Sequence, residues 1–233
     1  MEIAQDEILR YLGYRNQNPD PATAKLIAEC LSELKAVIRA GVVYQRYPLE
    51  KQGDRIGLSG TNLTIYSKDL SHHLRQADQC LLLAATLGLG PDQRIATYAR
   101  LDLARGIVLD ACATAAIEAL CAEAQNKLKA KLAKEGYALT GRYSPGYGDL
   151  AITLQKAILE VLRAYPRIGL TVNEEHILLP RKSVTAFIGL EKREESGRAQ
   201  ERPAPAAGVK ADDHCRRCPD QTCRYRKGGD RNG

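Results

Sequence analysis

Long hydrophobic runs are absent from the sequence. The longest uncharged, mainly apolar stretch is CLLLAATLGLG, from Cys80 to Gly90. It is well short of the roughly 18 apolar residues that a membrane-spanning helix needs. The first residues, MEIAQDEILR, are acidic and polar, whereas a secretory signal starts with basic residues followed by an apolar stretch. The sequence therefore predicts neither a membrane span nor export.

A concentrated block of positive charge is also lacking. The chain carries 34 Lys and Arg against 28 Asp and Glu, a formal net charge of +6, and the two signs are interleaved along it. Proteins that bind nucleic acids instead cluster Lys and Arg on one face or segment. We therefore expect no nucleic-acid partner.

The seven cysteines are an odd number, and their placement does not indicate a disulfide framework. Four of them lie within apolar patterns, where a reduced thiol behaves as a small hydrophobic side chain: Cys30, Cys80, Cys112 and Cys121. Unpaired thiols are typical of a reducing compartment. We therefore expect a cytoplasmic protein.

The first half of the chain alternates between helical and strand patterns. A helix is predicted from Pro21, which Asp20 can cap, to Gly41. The segments VVYQRYPL, DRIGLSG and TNLTIYS place β-branched and aromatic residues between turn residues, which is typical of short strands. Ser67 can cap a short helix after them. The unbroken apolar run from Cys80 predicts a buried central strand.

The second half is mainly helical. An alanine-rich helical region runs from Pro91 to Glu135, with Gly106 as a break or a close-packing point between two helices. Asp149 is expected to cap a further helix, LAITLQKAILEVLRAY. Two more segments have strand character, RIGLTV and SVTAFIGL. These patterns predict an α+β fold with a bent, mostly antiparallel sheet and packed helices.

Composition divides the chain into three parts. Residues 1–190 carry the periodic apolar patterns, and their length is sufficient for one core. Residues 191–213 are polar, rich in Pro and Ala and without periodicity, which predicts a disordered linker. Residues 214–233 form a basic, cysteine-rich tail.

The loop RYSPGYGD combines residue types that suit a small zwitterionic ligand. Arg142 offers a planar fork that matches a carboxylate. Gly146 and Gly148 allow a close backbone approach, and Pro145 stiffens the path. Tyr147 adds a flat face for a ring or a cation. The alternative is a Gly/Pro turn whose arginine bonds the carbonyl end of a helix.

Several separated stretches resemble the activation domain of vitamin B12-dependent methionine synthase in its free-standing form. These are RYLGY near the start, TLG after the apolar strand, the loop RYSPGYGD, and LPRKSV before the last strand. The family binds S-adenosylmethionine through an Arg-x-x-x-Gly-Tyr motif, which corresponds here to Arg142 through Tyr147. The resemblance covers roughly residues 3–190.

The resemblance implies a set of ligand contacts within the motif. Arg142 would hold the methionine carboxylate of S-adenosylmethionine, with Tyr143 beside it in the motif. The backbone around Ser144 and Gly146 would contact the ligand, and Tyr147 would pack against it.

The resemblance also implies acidic ligand contacts outside the motif. One lies on the preceding long helix, for which Glu118 is the candidate and Asp110 the substitute. Another lies near the N-terminus, where Asp6 is a candidate.

The function implied by the resemblance is the reactivation of a cobalamin enzyme. The domain would present S-adenosylmethionine so that its methyl group passes to cobalt after one-electron reduction of cob(II)alamin by a flavodoxin-like donor. Such a methyl transfer depends on positioning, so we expect binding residues and no catalytic acid or base.

The resemblance also implies a partner, because we find no regions for homocysteine, folate or cobalamin binding in this sequence. The segment DLSHHLRQ lacks the spacing and the glycine of the cobalamin-ligating Asp-x-His-x-x-Gly pattern. His72 and His73 are therefore expected on a helix surface. The expected partner is a cobalamin-binding methionine synthase or another corrinoid protein.

The tail contains a compact group of possible metal ligands. His214, Cys215, Cys218 and Cys223 could complete a tetrahedral zinc site. The three thiolates could instead hold an iron–sulfur cluster, and a metal-free tail is the third possibility. The alternative function is accordingly a non-catalytic interaction module with a zinc-binding basic tail.

Overall fold

The computed structural model of the protein describes residues 1–14 and 17–193, and the described residues up to Lys192 belong to one compact unit, Met1–Lys192. The helices are α1 (Gln5–Tyr11), α2 (Pro21–Val37), α3 (Lys68–His73), α4 (Leu89–Leu101), α5 (Leu103–Ala133), α6 (Leu154–Leu162) and α7 (Ala164–Ile168). The strands are β1 (Gly41–Gln52), β2 (Arg55–Leu58), β3 (Thr64–Tyr66), β4 (Gln79–Thr86), β5 (Tyr137–Leu139), β6 (Thr171–Val172), β7 (Leu178–Leu179) and β8 (Ser183–Lys192).

Six strands form one sheet in the order β3-β2-β1-β4-β8-β5, and β6 pairs with β7 in a separate hairpin. Every pairing of these strands is antiparallel. β4 lies in the centre, and its whole length pairs with β1 on one side and with β8 on the other. The predicted α+β class with an antiparallel sheet and a buried central strand is confirmed.

Helices cover both faces of the sheet. α1, α2 and α5 pack on one face, where Leu81 and Leu83 of β4 are buried. α3, α6 and α7 pack on the other, where Leu82 and Ala84 of the same strand are buried. Because both faces of β4 are covered, its sequence is a continuous apolar run and does not alternate.

The start of α2 agrees with the prediction, but its end does not. The carboxylate of Asp20 accepts hydrogen bonds from the amides of Ala22 and Thr23, both at 3.0 Å. The helix ends at Val37, before Gly41. Gly41 instead begins β1, where an added Cβ would lie 2.8 Å from the Ile168 side chain. The glycine therefore permits close packing and does not terminate the helix.

The alanine-rich region forms two helices that join at Asp102, not at Gly106. The Asp102 amide donates to the Tyr98 carbonyl at 2.8 Å, and its carboxylate accepts from the Arg105 amide at 3.0 Å. Gly106 lies inside α5, where an added Cβ would be 3.2 Å from the backbone of Tyr98 and of Ala99. It is therefore the close-packing point of the two helices. α4 begins at Leu89, ahead of Pro91.

Asp149 does not cap the helix that follows it, so this prediction is wrong. α6 begins only at Leu154, with no side-chain cap, because the Asp149 carboxylate bonds the start of α3 instead. The predicted strand RIGLTV is reduced to Thr171–Val172, since Ile168 ends α7. β5 was not predicted, and β8 continues to Lys192. The rest of the predicted linker and the tail lie outside the described residues.

Candidate ligand-binding site

Residues 140–149, here called the motif loop, run along the edge of β8. The amide of Tyr143 donates to the Phe187 carbonyl at 2.9 Å, and the Phe187 amide donates back at 2.8 Å. The ring of Tyr143 is buried, and its hydroxyl donates to the Tyr147 carbonyl at 3.2 Å. Burial, with the carboxylates of Asp69 and Asp149 nearby, raises the pKa of Tyr143 to about 12. Tyr143 therefore anchors the loop.

The middle of the motif loop is a tight turn. The Gly146 amide donates to the Leu150 carbonyl at 2.8 Å, and the Tyr147 amide donates to the Ser144 carbonyl at 3.3 Å. Gly146 and Gly148 have φ values of +93° and +54°, which glycine adopts without steric cost. The turn leaves the Tyr147 side chain 53% exposed. More than half of Tyr147 is therefore open to solvent.

Arg142 connects the motif loop to the long helix α5. Its Nη2 lies 2.8 Å from Oε2 of Glu118, and its Nη1 donates to Oε1 of Gln125 at 3.1 Å. Gln125 is buried, and its Nε2 donates to the Thr140 carbonyl at 2.9 Å. The side chain of Arg142 is 23% exposed and that of Glu118 43%. Solvent therefore reaches the ion pair.

The two acidic candidates on α5 have different partners. Asp110 pairs with Nζ of Lys182 at 2.9 Å. Glu118 is the acidic side chain beside the motif arginine, and its contact with a ligand stays a prediction. Asp6 is exposed in the first turn of α1, where its carboxylate accepts from the Glu7 amide at 2.9 Å.

Sequence reasoning named Asp6 of α1 as a candidate but assigned no role to Arg10 or Tyr11 of the same helix. Tyr11 packs against the hydrophobic core to which α5 belongs. Burial raises the pKa of Tyr11, the Arg10 guanidinium opposes this shift, and the Glu118 carboxylate adds to it. The Arg10 guanidinium lies 4.2 Å from the centroid of the Tyr11 ring. α1 therefore places the Tyr11 ring near Glu118, with the Arg10 guanidinium over that ring. The only signal in the sequence was the RYLGY stretch.

The two neighbouring histidines differ in their surroundings. His72 is exposed, as expected. His73 is half-buried, and its Nε2 lies 3.0 Å from both the Gly141 carbonyl and the Thr140 hydroxyl. Its ring centroid is 5.2 Å from that of Tyr143. His73 also lies on α3 and is partly exposed, but its side chain contacts the start of the motif loop.

Two surface concavities of about 300 and 540 Å³ lie along α5. Both are lined by Glu123 and Lys127, and neither is lined by a residue of the motif loop. The loop therefore presents its groups outside these two concavities.

Two further features concern membranes and metals. Within residues 1–14 and 17–193, no helix is both long and apolar enough to cross a bilayer. The same residues contain no group of three or more side chains placed to hold a metal ion. His214, Cys215, Cys218 and Cys223 lie outside the described residues, so their predicted metal site stays a prediction.

The fold and the motif loop together define a class of domain. It has a six-stranded antiparallel sheet with helices on both faces and a glycine-containing loop that is ion-paired to a long helix. The sequence matches no protein family at the level of family profiles. A comparison with curated proteins found no match either.

The fold itself occurs in a solved structure, the crystal structure of the MetH reactivation domain bound to AdoHcy. The two chains are 16% identical and superpose with a TM-score of 0.58. The likeness covers 83% of this chain and 78% of that chain. At this level of identity it shows a shared fold, and the predicted activation-domain fold is confirmed.

Proposed function

We propose that the protein is an S-adenosylmethionine-binding activation subunit for a cobalamin-dependent methionine synthase. The observation that carries the proposal is the pair of Arg142 and Glu118 at an Arg-x-x-x-Gly-Tyr loop. It occurs on the fold of a domain whose structure was solved with AdoHcy. This part of the chain thus combines a suitable fold with two opposite charges that a zwitterion can use.

The amino-acid end of the ligand would replace the ion pair. Its carboxylate would take the place of Glu118 on the guanidinium of Arg142, whose planar fork bonds carboxylates in bidentate geometry. Its ammonium group would then bind Glu118. One ion pair within the protein would become two between protein and ligand, so neither charge would lose a partner.

The remaining contacts would position the sulfonium centre. The exposed ring of Tyr147 offers a π face to a cation or to a purine. The backbone of Ser144 and Gly146, beside a residue position without a side chain, allows a close approach. Positioning the methyl group in line with its acceptor lowers the entropic part of the barrier, and no proton transfer is required.

The acceptor and the electron would come from other proteins. We propose that a flavodoxin-like donor would give one electron to cob(II)alamin on a methionine synthase or another corrinoid protein. The reduced cobalt would then take the methyl group as its bond to sulfur breaks, and S-adenosylhomocysteine would leave. Cobalamin supplies the cobalt chemistry, and this chain supplies the bound methyl donor. The protein is then an accessory subunit that supports chemistry only in a complex.

Calorimetry with S-adenosylmethionine on the full chain tests the binding step. Arg142→Ala should weaken binding by about 2 to 4 kcal/mol, or roughly 30- to 1000-fold, because the charged contact with the ligand carboxylate is lost. Arg105→Ala is the matched control, since Arg105 is also 23% exposed and pairs with a glutamate, Glu29. It should leave affinity unchanged. An unchanged dissociation constant in Arg142→Ala would remove Arg142 from the site.

The cysteine-rich tail supports a separate candidate role. His214, Cys215, Cys218 and Cys223 have the donor types of a zinc site, and the thiolates alone suit an iron–sulfur cluster. If the wild-type chain does not bind S-adenosylmethionine but does purify with zinc, the non-catalytic interaction module becomes the better proposal.

A further inference from the structure

We propose that α3 is a clasp that holds the motif loop in its ligand-binding shape, with Asp149 as the positioning residue. The proposal rests on the proposed function, because it takes the motif loop as the binding element. It concerns residues that touch the loop from the side opposite Arg142 and that have no assigned role in ligand contact.

The start of α3 holds the end of the motif loop. The two carboxylate oxygens of Asp149 accept hydrogen bonds from the Lys68 amide at 2.7 Å and from the Asp69 amide at 3.3 Å. The Ser67 hydroxyl also donates to this carboxylate, while its oxygen accepts from the Leu70 amide at 3.0 Å. Asp149 thus bonds free amides of a helix start that is 80 residues away in sequence.

The contact is reciprocal. The Asp149 amide donates to Oδ2 of Asp69 at 3.1 Å. Between this bond and the Tyr143 hydroxyl there is no room for a side chain at Gly148. An added Cβ there would overlap the Asp69 carboxylate and lie 2.5 Å from the Tyr143 hydroxyl. The loop and the helix start are therefore fitted to each other at this point.

The end of α3 holds the start of the loop, through the contacts of His73 with Gly141 and Thr140. One helix of six residues therefore contacts both ends of the motif loop. The helix is itself fixed, because Leu70 is fully buried and Lys51 donates from Nζ to three carbonyls just beyond its C-terminus. A change in α3 should thus be transmitted to the loop.

The chemistry at Asp149 requires a carboxylate. Its oxygens face three donors, the Ser67 hydroxyl and two amides. Asparagine has nearly the same shape, but it would direct an NH₂ group at one of these donors. Asp149→Asn is therefore a disruption that changes hydrogen bonding without changing size.

The test compares Asp149→Asn with Asp102→Ala in the full chain. Asp102 caps the start of α5 through the Arg105 amide, and it precedes Glu118 by about four helical turns, or roughly 24 Å. Three properties are measured for each variant: affinity for S-adenosylmethionine, melting temperature, and hydrogen exchange of the loop amides. The amides of Gly146 and Leu150 report the turn, because both are bonded within it.

We expect Asp149→Asn to weaken binding at least tenfold and to speed exchange at Gly146 and Leu150 at least tenfold. Asp102→Ala should lower the melting temperature and leave both affinity and loop exchange within twofold of wild type. Ser67→Ala should behave like Asp149→Asn, and Ser67→Thr, which keeps the hydroxyl, should restore affinity and protection.

The clasp is wrong if Asp149→Asn keeps wild-type affinity and exchange, or if both aspartate variants weaken binding equally. If the wild-type protein does not bind S-adenosylmethionine, the proposed function fails. The exchange measurement then still decides whether Asp149 orders the loop, so the two failures are distinguishable.

Discussion

The motif loop is attached to the domain on two sides, and the two attachments differ in kind. On the α5 side, Arg142 reaches a partly exposed carboxylate, that of Glu118. On the α3 and β8 side, Tyr143 forms a backbone bridge and Asp149 bonds amides of a helix start. The contact of Arg142 with Glu118 joins two side chains, whereas the contacts of Tyr143 and Asp149 join backbone or a side chain to backbone.

This difference indicates that the two attachments have different roles in the candidate site. A side-chain ion pair open to water contributes about 0 to 1 kcal/mol to stability, so a ligand can replace it at little cost. Backbone bridges and carboxylate-to-amide bonds hold the loop in one geometry and are costly to leave unmade. The α5 side is therefore suited to exchange partners, and the α3 side to keep the loop in place while this happens.

Gly148→Ala should disrupt the contact between the motif loop and α3, and we expect it to have the largest effect on stability and binding. The new methyl group would collide with the Asp69 carboxylate at a residue with φ of +54°. We expect a loss of roughly 2 to 4 kcal/mol in the free energy of unfolding, together with loss of ligand binding. Denaturant unfolding and calorimetry measure the two effects.

Gly136→Ala is the control for the backbone strain alone. Gly136 has φ of +78°, and nothing lies within 4 Å of an added Cβ. It should therefore lose only about 1 kcal/mol and keep its affinity. Equal losses in the two variants would show that the contact with Asp69 is unimportant.

Glu118→Gln should remove the ion pair that connects Arg142 of the motif loop to α5. Stability should change by less than about 1 kcal/mol, because the carboxylate is exposed. Affinity for S-adenosylmethionine should fall by about 1.5 to 3 kcal/mol, because the ligand ammonium loses a charged partner. Calorimetry checks this result.

The same variant also separates two roles of Glu118. If the glutamate only competes with the ligand for Arg142, affinity should rise in Glu118→Gln. A rise would contradict the ammonium contact and leave Glu118 as an internal substitute for the ligand carboxylate. Asp110→Asn is the control on the same helix, since Asp110 pairs with Lys182.

Local signals in the sequence predicted much of the fold. Asp20 and Ser67 cap the helices that directly follow them, and the apolar run of β4 is the central strand. Asp149 carries the same chemistry as Asp20, but its partners are about 80 residues away, and no local pattern records such a partner. The three residues of β5 form a strand only because β8 pairs with them, so they too escaped prediction.

Some of the residues that lie together at the candidate site could also be named from the sequence. Arg142 and Gly146 could be singled out because their chemistry is unusual within a short loop, and the resemblance pointed to Glu118. Gln125 and His73 could not be identified, because a single amide on a helix or one of two adjacent histidines carries no signal without the fold. Their contacts with the loop depend on how α5 and α3 pack against the sheet.

Acid pH should weaken the contact of Asp149 with α3, and we expect this effect to be the smallest of those considered. The hydrogen bond from Ser67 lowers the pKa of Asp149. Partial burial opposes this shift, and the hydrogen bonds from the backbone of Lys68 and Asp69 add to it. The stabilisation from its ionised form is therefore complete above the unfolded value of about 3.9 and is lost as pH falls through the lower folded value. Because the site is near the surface, the change should not exceed about 1 kcal/mol.

Hydrogen exchange at Gly146 and Leu150, measured between neutral and acid pH, detects this loss at the loop itself. Wild-type protection should decrease as Asp149 takes up a proton, whereas Asp149→Asn should begin with low protection and show a flatter dependence. Asp20→Asn serves as the control, because the pKa of Asp20 is also lowered by hydrogen bonds but its carboxylate caps α2. If Asp20→Asn flattened the pH dependence of exchange in the loop as much as Asp149→Asn, the response to acid would be a property of the whole domain. It could then not be assigned to the contact between Asp149 and α3.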